Sequence, residues 1–107
     1  MAPDLVDLVL RAAGGLVDHV LCAIRDDNAD VELQVVDHGD HVQILAPGML
    51  RVNAATLTWH AGRPFGTAEL RSMIVFCRGT LDLGDDRMTV ISESRRTMSR
   101  ERFSLRS

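Results

Sequence analysis

At 107 residues, 46% hydrophobic and 25% charged, the chain can bury one core but not two, and it is too apolar to be a disordered polymer. A net charge of −3, with three Phe, one Trp and no Tyr, argues against a nucleic-acid groove, which needs positive charge and stacking rings. Asp4 and Asp7 interrupt the first apolar run, no stretch approaches membrane length, and Cys22 and Cys77 form no Cys-x-x-Cys pair, so a cytoplasmic protein with reduced thiols is expected.

The opening run Leu5 to Leu10 fits a short helix and a buried strand equally well. Leu16, Val17, Val20, Leu21 and Ile24 then recur at helical spacing, opposite Asp18, His19, Arg25 and Asp26, which predicts an amphipathic helix ending near Asn28. Val31, Leu33 and Val35 alternate with Glu32 and Gln34. After the turn-like Asp37 to His41, the alternation resumes in Val42, Ile44 and Ala46, as in a hairpin. Pro47-Gly48 makes a tight turn into a third strand, Met49 to Val52.

Asn53 is placed to cap a short helix through Leu57 and His60, which Gly62 ends and Pro64 keeps from continuing. A second short helix should start near Gly66 or Thr67, with Glu69 at its positive end, and run to about Met73. Strands follow at Ile74 to Arg78, Thr80 to Leu83 and Met88 to Ile91, with a bend at Gly79 and a turn at Gly84-Asp85-Asp86. The pattern predicts an α+β sandwich, helices covering a largely antiparallel sheet, over residues 1–91. Residues 92–107 differ: five arginines against two glutamates give +3, leaving −6 on the body, and a mobile tail is expected.

Chemistry-bearing residues are sparse. Asp37, His38, Asp40 and His41 could ligate a first-row metal, but the same composition makes an ordinary hairpin turn, and that is the preferred reading. His19 falls on a polar helix face and His60 near a helix end. Cys22 lies beside an apolar stripe and reads as a small core residue, while Cys77 is undecided. Trp59 reads as a packing ring. Arg63 is either an interface anchor or a surface charge beside a turn.

One long run, AIRDDNADVELQVVDHGDHVQILAPGMLRVNAATLTWHAGRPFGTAELRSMIVFCRGTLDL, resembles the effector components of soluble bacterial methane, phenol, toluene and alkene monooxygenases. The resemblance rests on order and spacing: Asp27-Asn28, Ala46-Pro47-Gly48 with Leu50 and Val52, Gly62-Arg63-Pro64-Phe65, Glu69-Leu70, then Gly79. It covers Val6 to Ile91 and departs from the family at Ala29, usually Pro, and at Gly66, where a polar cap is lost. The long N-terminal arm of the methane-oxidising branch has no counterpart here, which points to the toluene and alkene branches.

The resemblance implies that Val6 to Leu10 is a strand. It also implies a non-enzymatic regulator without cofactor, whose partner is the di-iron hydroxylase of a multicomponent monooxygenase; composition and hydropathy leave no expectation of a metal, nucleic acid or membrane partner. It places the docking surface at Met73, Val75, Phe76 and Cys77, with Phe76 as leading anchor. Arg63 is added as a contact candidate. Period-two spacing also permits Phe76 to point into the core with Ile74. Two competing readings are a small-molecule-sensing regulatory α+β domain and a small enzyme using the His and Asp cluster. Neither accounts for the joined sequence pattern.

Overall fold

The computed structural model describes residues 5–12 and 14–92. The expected tail therefore lies outside the described residues from residue 93 on. Seven strands and three helices follow in the order β1 (Leu5–Arg11), α1 (Leu16–Asp27), β2 (Gln34–Asp37), β3 (His41–Pro47), β4 (Met49–Asn53), α2 (Ala54–Ala61), α3 (Thr67–Met73), β5 (Ile74–Arg78), β6 (Thr80–Leu83) and β7 (Arg87–Ile91). They form two sheets, one ordered β2-β3-β1-β5 and the other β4-β7-β6, and every ladder among them is antiparallel. The α+β class is as expected; the division into two sheets adds to it.

Two glycine corners create that division. β3 runs into β4 through Gly48 (φ +79°) and β5 into β6 through Gly79 (φ +130°), so each pair behaves as one long strand that leaves the first sheet and enters the second. Gly79 is required twice over. Its φ disfavours any side chain, and a Cβ there would sit 2.9 Å from the carbonyl oxygen of Ile91. Between the bent pairs, β1 occupies the middle of the first sheet and β7 the middle of the second. β1 begins where β7 ends: Leu5 pairs with Pro47, Ile91 pairs with Met49, and the Ser92 N–H donates to the Gly48 carbonyl at 2.9 Å.

The core lies on one side of both sheets. Strict alternation sends Val6, Leu8 and Leu10 of β1 and Val42, Ile44 and Ala46 of β3 inward, where they meet Leu50, Val52, Met88 and Val90 of the second sheet. Val17, Val20, Ala23 and Ile24 of α1 close the same core. Fully burying a side chain of this size contributes about 1.5–3 kcal/mol, so this shared cluster dominates the fold's stability.

The end of α1 is fastened by side chains. Asn28, 2% exposed, donates from Nδ2 to the carbonyls of Ile24 (2.7 Å) and Arg51 (2.6 Å) and accepts the Arg51 N–H on Oδ1 at 3.2 Å. Asp27 accepts the Asn53 N–H and the Thr56 hydroxyl, at 2.7 and 2.9 Å. Asp-Asn thus both ends the helix and pins it to β4 and α2.

Several expectations need correction. β2 starts at Gln34, because the Val31 N–H is spent on the Asn28 carbonyl; Val31 and Leu33 still pack on the core. Asn53 is the N-cap residue of α2 as expected, but its side chain makes no cap hydrogen bond; its backbone N–H donates to Asp27. Cys22 is exposed, since the buried stripe of α1 runs through Ala23 and Ile24 instead. Trp59 is 80% exposed: α2 buries Leu57, and two residues further along a helix the side chain points nearly the opposite way.

Candidate functional site

The first sheet has a second face, and the described residues leave it largely uncovered. Leu5, Asp7 and Val9 of β1 point away from the core, as do Gln43 and Leu45 of β3. Antiparallel register lines these into rows across the sheet. One row runs Val36, Gln43, Val9, Phe76 and the next Gln34, Leu45, Asp7, Arg78. Leu5, Val9, Val36, Leu45 and Phe76 are absent from the core cluster and from the residues packed against it.

Phe76 reaches this face because of an irregularity. The β1–β5 register shifts between Val9 and Leu10: Val9 opposes Phe76 while Leu10 opposes Ile74, which leaves Val75 as the extra residue of a bulge. The bulge breaks simple alternation. Ile74 and Cys77 pack against the core, whereas Val75 and Phe76 are 58% and 52% exposed. This removes the option that Phe76 follows Ile74 inward. β5 is also the end strand of its sheet, so one side of its backbone has no ladder partner among the described residues.

The other candidates separate. Met73 is 5% exposed and belongs to the core, which corrects its placement on a docking surface: as the last residue of α3 it turns inward with Leu70. Cys77 is half-buried, and burial first, then the charge of Asp7, pushes its thiol above the ordinary range, which disfavours a nucleophile. Arg63 is exposed, forks onto Glu69 at 2.5 and 3.2 Å, and lies 5.4 Å from the Phe65 ring centroid. That pair raises the Arg63 pKa and lowers that of Glu69, chiefly through the hydrogen bond between them.

The His and Asp turn is built as a turn. Asp37 Oδ1 accepts the Gly39 N–H at 2.8 Å, and the His38 N–H donates to the His41 carbonyl at 2.9 Å. His38 and His41 stack with centroids 4.8 Å apart. Among the described residues no group of three or more His, Cys, Asp or Glu side chains is arranged to hold a metal ion. His38 instead starts a chain of contacts across the open face: Nε2 lies 3.0 Å from Gln43 Oε1, and Gln43 Nε2 donates to Asp7 Oδ2 at 2.9 Å. Exposed apolar side chains on a bulged end strand, with a polar network beside them, make a surface suited to binding another protein.

Sequence reasoning missed Asp7, Val9, Val36 and Gln43 as members of this face. The signal was present in β1, whose residues Leu5, Val6, Leu8, Val9 and Leu10 are apolar on both sides of the strand. Only one of those sides belongs to the core.

The sequence matches the MmoB/DmpM family over residues 4–91. The effector subunit of the alkene monooxygenase system of Xanthobacter autotrophicus is 32% identical over 88 residues, which cover 82% of this chain and 86% of that protein. Among solved structures, a phenol hydroxylase–regulatory protein complex contains a similar chain with TM-score 0.70 and 24% identity, covering 81% of this chain and 97% of that one. The soluble methane monooxygenase regulatory protein B is similar with TM-score 0.66 and 21% identity, over 87% of this chain and 68% of that one. The structural likenesses establish a shared fold. Together with the match along the sequence, they lead to one conclusion: this chain belongs to the MmoB/DmpM family.

Proposed function

We propose that this protein is a non-catalytic effector of a multicomponent monooxygenase, a cytoplasmic protein that docks on the di-iron hydroxylase and controls access of oxygen, substrate and electrons. The observation that carries the reading is the family match over residues 4–91, with an alkene monooxygenase effector subunit among the relatives. Among the described residues no helix is long and apolar enough to cross a membrane, which is compatible with it. Residues 1–91 form the effector domain in this reading, and residues 92–107 a separate Arg-rich segment.

The docking surface in this reading centres on Val75 and Phe76, with Cys77 beside them in β5, and takes in Arg63 as a further contact. The exposure of the two apolar side chains supports it. The effector needs no chemistry of its own. Tighter binding to one hydroxylase conformation shifts the population toward that conformation, by no more than the difference in affinity. Titrating the protein into its hydroxylase and reductase should raise hydrocarbon oxidation and the yield of product per NADH. Rates that stay flat across a full titration in a competent system would remove the reading.

A further inference from the structure

One atom on the outer face of the first sheet lacks a donor among the described residues. Asp7 Oδ1 is buried without a hydrogen-bond partner, while Oδ2 of the same carboxylate accepts from Gln43 Nε2 at 2.9 Å. A carboxylate oxygen withdrawn from water and left unpaired is unfavourable in the free protein. The side chain is nevertheless held in place. Gln43 Oε1 lies 3.0 Å from His38 Nε2, so a polar chain from the turn before β3 orients the carboxylate. Asp7 as a whole is only partly buried, and the torsion of its carboxylate is broad, so a small rotation presents Oδ1 to a donor arriving from outside.

The register places this oxygen beside the docking surface. Val9 opposes Phe76 and Asp7 opposes Arg78, which makes Phe76 and Asp7 diagonal neighbours on one face, about 7–8 Å apart. A partner segment that packs on Phe76 therefore passes over Val9 and meets Asp7. The acceptor is a carboxylate on a body, residues 1–91, that itself carries −6, so the complementary group is a cation.

We infer that Asp7 is a second anchor of the docking surface, accepting on Oδ1 from a positively charged side chain of the di-iron hydroxylase whose apolar neighbours cover Val9 and Phe76. This rests on the docking reading and adds the charge that selects the partner. Docking satisfies an oxygen that folding leaves bare, so Asp7 contributes to affinity what it withholds from stability. A hydroxylase surface with no cation at this point would bury the carboxylate unpaired and be rejected.

The test measures hydroxylase binding by calorimetry at low and high salt, and the melting temperature of the free full-length protein, for wild type, Asp7→Asn, Arg78→Gln, their double variant and Phe76→Ala. Asp7→Asn keeps the shape of the side chain and removes its charge. It should weaken binding about tenfold, with a gap to wild type that narrows at high salt, and should melt at or above wild type. The same loss should appear in the Arg78→Gln background. Wild-type binding by Asp7→Asn beside weakened binding by Phe76→Ala would overturn this inference and leave the docking reading standing, whereas a wild-type chain that does not bind removes both. Early melting of Asp7→Asn would make Asp7 a structural residue, and a loss that vanishes in the Arg78→Gln background would give the oxygen to Arg78. A gap indifferent to salt would make the donor neutral, and self-association of the free protein that Asp7→Asn abolishes would give the face to a second copy. Each of these four results also ends the proposal.

Discussion

The two faces of the first sheet are built from the same strands, and they have opposite fates. Val6, Leu8 and Leu10 are fully buried, while Leu5, Asp7 and Val9, interleaved with them, meet no part of the core. Hydrophobicity does not separate the sets, since Leu5 and Val9 are as apolar as their neighbours. What separates them is cover: the second sheet and α1 close one face, and no described element closes the other. The inner face is therefore expected to govern stability, and the outer face to govern encounters with other molecules.

The largest effect should come from the inner face. Leu8→Ala removes a fully buried side chain from the central strand and should cost about 2–5 kcal/mol, lowering the melting temperature by roughly 10 °C or more. A loss below 1 kcal/mol in urea unfolding would mean that the core collapses around the gap. Asn28→Ala comes next. It deletes three hydrogen bonds and leaves the part-buried N–H and C=O of Arg51 without their side-chain partner, while the Ile24 carbonyl keeps the backbone N–H of residue 28, for an expected about 1–3 kcal/mol in the same assay.

Phe76→Ala sharpens the contrast from the other side. With half its surface already exposed, it should leave the melting temperature nearly unchanged. Under the proposed function it should weaken hydroxylase binding by roughly 2 kcal/mol, about thirtyfold in Kd. Calorimetry of folding and of docking on the same variant reads both quantities, and a large stability loss with intact docking would reverse the assignment of faces.

The smallest effect belongs to the Arg63–Glu69 pair. Hydrogen bonding to Arg63 holds the Glu69 carboxyl below its ordinary value. Between the lowered value and the ordinary one the unfolded chain binds more protons, so the contribution is present above about pH 4.5 and is lost as pH falls through the folded pKa. Arg63→Gln should therefore unfold at slightly lower urea than wild type at pH 7, with the two curves converging in acid. A difference that persists in acid would attribute it to packing on Phe65.

Much of this architecture is legible in the sequence alone. The stripe from Val17 to Ile24 fixes α1, the alternation from Val42 to Ala46 fixes β3, and Gly62 and Gly79 mark ends that the dihedral angles bear out. Such features are local, written by periodicity and by residues with unusual backbone freedom. Strand character at Leu5–Arg11 needed the family resemblance, because an apolar run on both faces erases the period. The failures concern which side of an element is covered. Trp59, Cys22 and Met73 were misplaced because neighbouring residues on a helix differ in exposure only through what packs against them, and a single sequence does not write that down. Phe76 escaped alternation through a bulge that only the pairing of β5 with β1 reveals.

The glycine corners have one more consequence. Because β3–β4 and β5–β6 each belong to both sheets, neither sheet can melt while the other persists without tearing two continuous strands. The chain therefore unfolds as a single cooperative unit, and a tug on the bulged end strand is felt at β6 and, through it, at β7 across the seam. A molecule gripping β5 holds a lever whose far arm lies in the opposite sheet.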